Sequence, residues 1–152
     1  MPESEDSAGE RGLELSRVFE APRERLWREW TEPERFADWF GGREAHIPVE
    51  SVSMDVRPGG RWRATMHYDG VESQWEGVYR EVVEPARLVL TFAHQPGEDA
   101  HELVTVVFVD LDDGRTEMRL EQRGTLSRDL YEQSLDGWSS FIDRIAERLH
   151  DA

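Results

Sequence analysis

Apolar and polar residues begin to alternate at Gly12. Leu13, Leu15, Arg17 and Phe19 share one face of an extended segment, and Glu14, Ser16, Val18 and Glu20 share the other. Arg17 stands out because it sits on the apolar side. An unpaired buried guanidinium is costly, so it needs a carboxylate partner or a ligand. The chain then changes period. Ala21-Pro22 opens a short helix carrying Trp27 and Trp30, with Pro22 at the first helical position. Thr31-Glu32-Pro33-Glu34 has capping-box spacing and opens a second short helix ending near Trp39 and Phe40. Gly41-Gly42 follows and predicts a mobile loop beside Phe40.

Alternation returns in the middle of the chain. Val52, Met54 and Val56 predict a strand over Ser51 to Arg57, closed by the turn Pro58-Gly59-Gly60. From Arg61 to Tyr68 the inward residues are Trp62, Ala64, Met66 and Tyr68. Asp69-Gly70 predicts a hairpin. The return strand, Ser73 to Val83, places Trp75, Gly77, Tyr79, Glu81 and Val83 on one face. Glu84-Pro85 ends it, and Leu88 to Ala93 keeps Leu88, Leu90 and Phe92 together. A polar loop over His94 to Ala100 precedes Leu103 to Val109, a nearly continuous apolar run that reads as a strand buried on both sides. Asp113-Gly114 predicts another hairpin turn. Beyond it, Thr116, Met118, Leu120 and Gln122 face in while charged residues face out.

The last segment is helical by period. Trp138, Phe141, Ile142, Ile145 and Leu149 form one stripe, so a long helix runs from Asp129 to Leu149, entered at Ser127 or Arg128. Gly137 interrupts good helix formers, which predicts close packing there. The order is a strand, two short helices, about six antiparallel strands and one long helix. This defines an α+β fold, a curved antiparallel sheet of six to seven strands wrapped around a C-terminal helix. A bent sheet and a straight helix fill space imperfectly, and a ligand cavity belongs between them.

Composition narrows the function. The chain has 152 residues, which suits one domain over 12–150 after a polar, disordered tail at 1–11. It carries no cysteine, so disulfides and thiolate metal sites are excluded. The formal charge is -15, and every basic residue besides histidine is arginine. A surface this acidic repels nucleic acid and anionic membranes. No apolar run suits a membrane span and the start is not a signal peptide, so the cytoplasm is the expected location.

Catalytic and cofactor motifs are missing. The five histidines are scattered, without HExxH or helical ligand spacing. There is no GxSxG and no phosphate-cradling loop, and Asp110 to Gly114 departs from an EF-hand. No cofactor and no metal are expected. Acid–base chemistry would fall to Glu81 and Arg17, assisted by Tyr79 or Gln122, but a carboxylate and an arginine facing one pocket more often make a structural ion pair than a catalytic couple. The binding reading needs less. Trp39, Phe40, Trp62, Met66, Trp75, Tyr79, Phe92, Met118, Trp138 and Phe141 would line the pocket, with Arg17, Glu81 and Gln122 as its polar groups.

Several segments together resemble one family: Arg17 to Pro22, Trp27, Trp30 to Glu34, Trp39, Asp55 to Arg63, Glu76 to Phe92, and Gly137-Trp138 in the last helix. They look like the activator of Hsp90 ATPase homologue family, within the START-like (SRPBCC) helix-grip superfamily. The resemblance covers residues 12 to 150 and implies a helix-grip ligand-binding domain. The family's namesake is a co-chaperone whose domain of this type contacts the chaperone, and it carries a separate N-terminal chaperone-binding domain that these residues do not include. Wider relatives bind lipids, polyketides or other apolar molecules, and a few catalyse cyclisation or hydrolysis. The expectations are, in order, a binder of a small hydrophobic or aromatic molecule, a co-chaperone-like module for a protein partner, and a small cyclase or hydrolase. Two-fold contacts are common for small domains, so a homodimer stays open. The glycine pair reads as a gate, with replacement of both by alanine slowing ligand exchange at little loss of stability.

Overall fold

The structure is a computed structural model that describes residues 11–93 and 102–151. The disordered tail and the loop from His94 to Ala100 therefore lie outside the described residues, apart from Arg11. The elements are β1 (Arg11–Phe19), α1 (Arg23–Thr31), α2 (Pro33–Trp39), β2 (Ser53–Met54), β3 (Arg61–Tyr68), β4 (Val71–Val83), β5 (Arg87–Phe92), β6 (Glu102–Asp110), β7 (Thr116–Gly124) and α3 (Arg128–Asp151). The seven strands form one antiparallel sheet in the order β1-β7-β6-β5-β4-β3-β2. From β2 to β7 each strand pairs with the next, and β1 closes on β7 with Leu15 opposite Leu120.

The inward row from β7 follows the sequence reading. Thr116, Met118, Leu120 and Gln122 are all buried. Their neighbours on β6 are Val104, Val106 and Phe108, also buried. Against this face lie α1, α2 and the stripe Tyr131, Trp138, Ile142, Ile145 and Leu149 of α3. Ser127 caps α3, its hydroxyl accepting from Leu130 N at 3.2 Å. At the other end, Glu29 is 1 % exposed on α1. Arg148 clasps it with Nε on Oε1 at 2.7 Å and Nη2 on Oε2 at 3.2 Å.

Several local expectations are corrected. Pro22 is the N-cap, one residue outside α1. The capping box does not form, because Thr31 still belongs to α1 and its hydroxyl donates back to Trp27 O at 2.8 Å. The strand expected over Ser51 to Arg57 shrinks to two residues after a 3-10 turn at Val49–Ser51. Strand β6 is buried on one side only. Leu103 is exposed on the convex face, and Thr105, Val107 and Val109 are half-covered. The Asp69-Gly70 turn has positive φ at both residues, as its hairpin requires. The turn after β6 is wider than expected, with Leu111 N donating to Arg115 O and positive φ at Asp112 and Gly114.

Candidate functional site: an aromatic cavity under the C-terminal helix

The cavity expected between sheet and helix is present, with a volume of about 520 Å³. Of the residues expected to line it, Phe40, Met66, Trp75, Phe92, Gln122, Trp138 and Phe141 do so. They come from the end of α2, from β3, β4, β5 and β7, and from α3. Strand parity points the sheet residues to the concave face, and helical spacing delivers Trp138 and Phe141. The rings touch one another. Phe40 lies 5.8 Å from Trp75, 6.1 Å from Phe92 and 5.5 Å from Phe141. Trp138 lies 5.6 Å from Phe92 and 5.4 Å from Phe141. Most of these pairs are edge-on, which favours their quadrupoles and leaves ring faces turned in several directions.

The remaining expected residues lie outside the lining. Trp39 is fully buried against Trp30, and its indole donates to Glu29 O at 2.7 Å. Trp62 packs on Phe92, with centroids 4.7 Å apart. Met118 is fully buried core, opposite Arg17 and Phe108 and four residues along β7 from Gln122. Arg17 does face the helix side, but from the edge strand. There it pairs with Asp143 of α3 in a partly exposed ion pair. Glu81 is turned outward because the β4–β5 register shifts between Tyr79 and Glu81, so alternation fails there. It pairs with Arg87 on the surface, 3.0 Å away. Tyr79 is buried, and its hydroxyl has no hydrogen-bond partner among the described residues. Burial first, and then the charge of Asp55, push its phenol above its ordinary value. Arg17 and Glu81 therefore do not meet over one pocket, and the acid–base pair that strand parity suggested is not assembled.

Sequence reasoning missed Glu102, Leu126, Leu130, Gln133, Ser134 and Gly137 as lining residues. Glu102 matters most. It is 8 % exposed. Its Oε1 accepts from Tyr131 Oη at 2.6 Å and from Gln122 Nε2 at 3.0 Å, and its Oε2 accepts from Thr125 N at 3.2 Å. Gln122 Oε1 in turn accepts from Trp138 Nε1 at 2.8 Å. The available signal was parity, since Glu102 lies two residues before inward Val104. Tyr131 likewise lies two helical turns before Trp138.

Gly137 has a different role from the close packing expected of it. A Cβ there would meet nothing nearer than Phe141 Cζ at 3.8 Å, so the missing side chain leaves room in the cavity wall. The glycine pair also needs correction. Gly41 and Gly42 have φ of +89° and +77°, and an added Cβ would come within 2.6 Å of Ala45 Cβ or Ser140 Oγ respectively. Replacing both by alanine strains the backbone and displaces neighbours, so it is not a mild change.

A larger concavity of about 790 Å³ lies between α2, α3 and residues 42–49. It is charged, and ion pairs of Arg43 with Glu147 and of Arg144 with Asp38 and Glu147 run across it. Among the described residues no group of three or more His, Cys, Asp or Glu side chains could hold a metal ion. No described helix is long and apolar enough to cross a membrane.

A curved antiparallel sheet gripping one long C-terminal helix, with an apolar cavity between them, defines a helix-grip protein. Residues 20–150 match the profile of the Activator of Hsp90 ATPase homolog 1-like protein family, and the chain belongs to that family. Solved structures agree in fold. A Chromobacterium violaceum protein, 23% identical, superposes with a TM-score of 0.81 over 91% of this chain and 96% of its own. A Silicibacter pomeroyi protein, 21% identical, gives 0.80 over 92% and 98%. A Mycobacterium smegmatis protein, 26% identical, gives 0.72 over 91% and 90%. No curated protein matches the chain.

Proposed function

We propose that this protein binds a small hydrophobic molecule, aromatic or otherwise flat, in the cavity under α3. The observation that carries this reading is the lining itself: five aromatic side chains in mutual contact around about 520 Å³, with Glu102 and Gln122 as a small polar group. Binding sites for small molecules have this make-up, mostly apolar with a few placed polar groups. Family membership supports a ligand-binding or co-chaperone-like module. Catalysis is not required by any group aimed into the cavity.

Native mass spectrometry of freshly purified protein tests the reading. The expected result is a discrete adduct that is released on unfolding, together with its loss in Gly137→Phe, where a ring would fill the cavity. Protein without an adduct that also binds no flat apolar probe overturns it. The co-chaperone-like reading is second, and the charged groove beside α2 favours it. Its test is salt-sensitive capture of the chaperone, lost when Arg43 and Glu147 are both neutralised.

A further inference from the structure

Glu102 is the one ionisable side chain in the described cavity lining, and its surroundings are unusual. Its hydrogen-bond partners among the described residues all donate: the Tyr131 hydroxyl, the Gln122 amide and the Thr125 backbone N–H. A carboxylate offers about four acceptor positions, and these donors fill three. Only Thr125 reaches Oε2. None of these partners carries a charge, and no arginine pairs with Glu102 among the described residues. Among the described residues its carboxyl group is thus held by neutral donors alone, which leaves the place of a charged partner to a ligand.

The position is also built. An added Cβ on Gly124 would lie 1.9 Å from Glu102 Oε2, so the carboxylate is seated against bare backbone. Trp138 orients Gln122, and Gln122 with Tyr131 orients Glu102. The rest of the lining consists of aromatic and aliphatic side chains with two neutral polar residues, Gln133 and Ser134. Ring faces attract cations as well as apolar surface. The net charge of -15 draws cations toward the molecule and repels anionic ligands such as fatty acids.

We propose that the ligand is an organic cation, a flat apolar body bearing an ammonium nitrogen, and that Glu102 meets its charge. This rests on the ligand-binding reading above and goes further by fixing the ligand's chemistry.

Isothermal titration calorimetry at pH 7 with three probes of one shape tests it: 2-naphthylmethylamine, 2-naphthalenemethanol and 2-naphthoate. The expected order is amine tightest, by at least tenfold over the alcohol, and carboxylate weakest. That order should persist in 0.5 M NaCl, which screens surface charge but not a buried carboxylate. Glu102→Gln should bring amine and alcohol within threefold of each other. An alcohol that binds as tightly as the amine overturns the proposal and leaves the hydrophobic-ligand reading standing. So does a preference that vanishes in high salt, or one that survives in Glu102→Gln. If none of the probes binds, both readings fall. The salt comparison uses the wild-type chain alone, so the test holds even if Glu102→Gln folds poorly.

Discussion

The indole of Trp62 reaches across Gly77 and donates to the carbonyl oxygen of Thr91 at 3.0 Å. Trp62 and Gly77 are register partners on β3 and β4, whereas Thr91 belongs to β5. The indole therefore passes over β4 to satisfy a backbone acceptor one strand further on. Val78 N, in the same gap, donates to Thr91 Oγ1 at 2.9 Å. The β4–β5 ladder is interrupted here, and two side chains take over its hydrogen bonds.

Gly77 is consequently fixed by space. An added Cβ would sit 1.7 Å from Thr91 O and 2.5 Å from Trp62 Nε1. Gly77→Ala must push β5 or the indole away, and overpacking of this kind costs about 3 kcal/mol or more. Trp62→Phe keeps the packing on Phe92 but leaves Thr91 O unpaired, at about 1–3 kcal/mol. Urea unfolding of both variants should rank Gly77→Ala as the more damaging.

The clasp between Arg148 and Glu29 ties the end of α3 to α1. Arg148 also pairs with Asp38, and Arg35 Nη1 approaches Glu29 Oε2 at 3.5 Å. Arg148→Met leaves an almost wholly buried carboxylate with only the more distant Arg35 as a charged partner among the described residues, and removing one partner of a buried pair costs about 3–5 kcal/mol, here toward the lower end. The double variant Glu29→Leu with Arg148→Met removes both charges and should recover most of that loss. Chemical denaturation of the wild type and the two variants measures this, and a double variant no more stable than Arg148→Met alone would contradict it.

How much of this was legible in the sequence depends on how regular each segment is. The periods of β7 and α3 are uninterrupted, so their inward residues, including Gln122, Trp138 and Phe141, could be read directly. Glu81 could not, because a register shift after Tyr79 reverses parity and composition carries no mark of it. β6 misled for another reason. Its convex Leu103, Thr105, Val107 and Val109 look like core, yet no second layer of described residues buries them. The same apolar run made Leu103 look like the start of the strand, so inward Glu102 was passed over. The role of Gly77 needs the register of three strands at once, which no local pattern contains.

Gly137 sets stability against cavity space. Alanine is better than glycine inside a helix by about 1 kcal/mol, and the structure leaves room for its methyl group. Gly137→Ala should therefore raise stability by about 0.5–1 kcal/mol while narrowing the cavity. Gly137→Phe should abolish probe binding and keep the far-ultraviolet circular dichroism of the wild type. A thermal melt and a titration on each variant separate the effects. Weaker stability in Gly137→Ala would mean that the helix packs closely there after all.

Tyr79 predicts a pH dependence. Its phenol is buried and raised above the ordinary value of about 10, chiefly by desolvation and further by Asp55. Above pH 10 the unfolded chain loses this proton while the folded chain keeps it. The unfolded state then binds fewer protons, so stability falls as pH rises, by about 1.4 kcal/mol per unit, and is unaffected by this group below pH 9. Tyr79→Phe removes the titration and also a buried hydroxyl without a partner among the described residues. At pH 7 the variant should be as stable as the wild type or more so, by up to about 1 kcal/mol. Between pH 10 and 11 its advantage should widen, because the wild type alone loses this contribution. Urea midpoints at pH 7, 9, 10 and 11 measure both effects, and parallel curves for the two proteins would show that Tyr79 ionises as freely in the fold as in the unfolded chain.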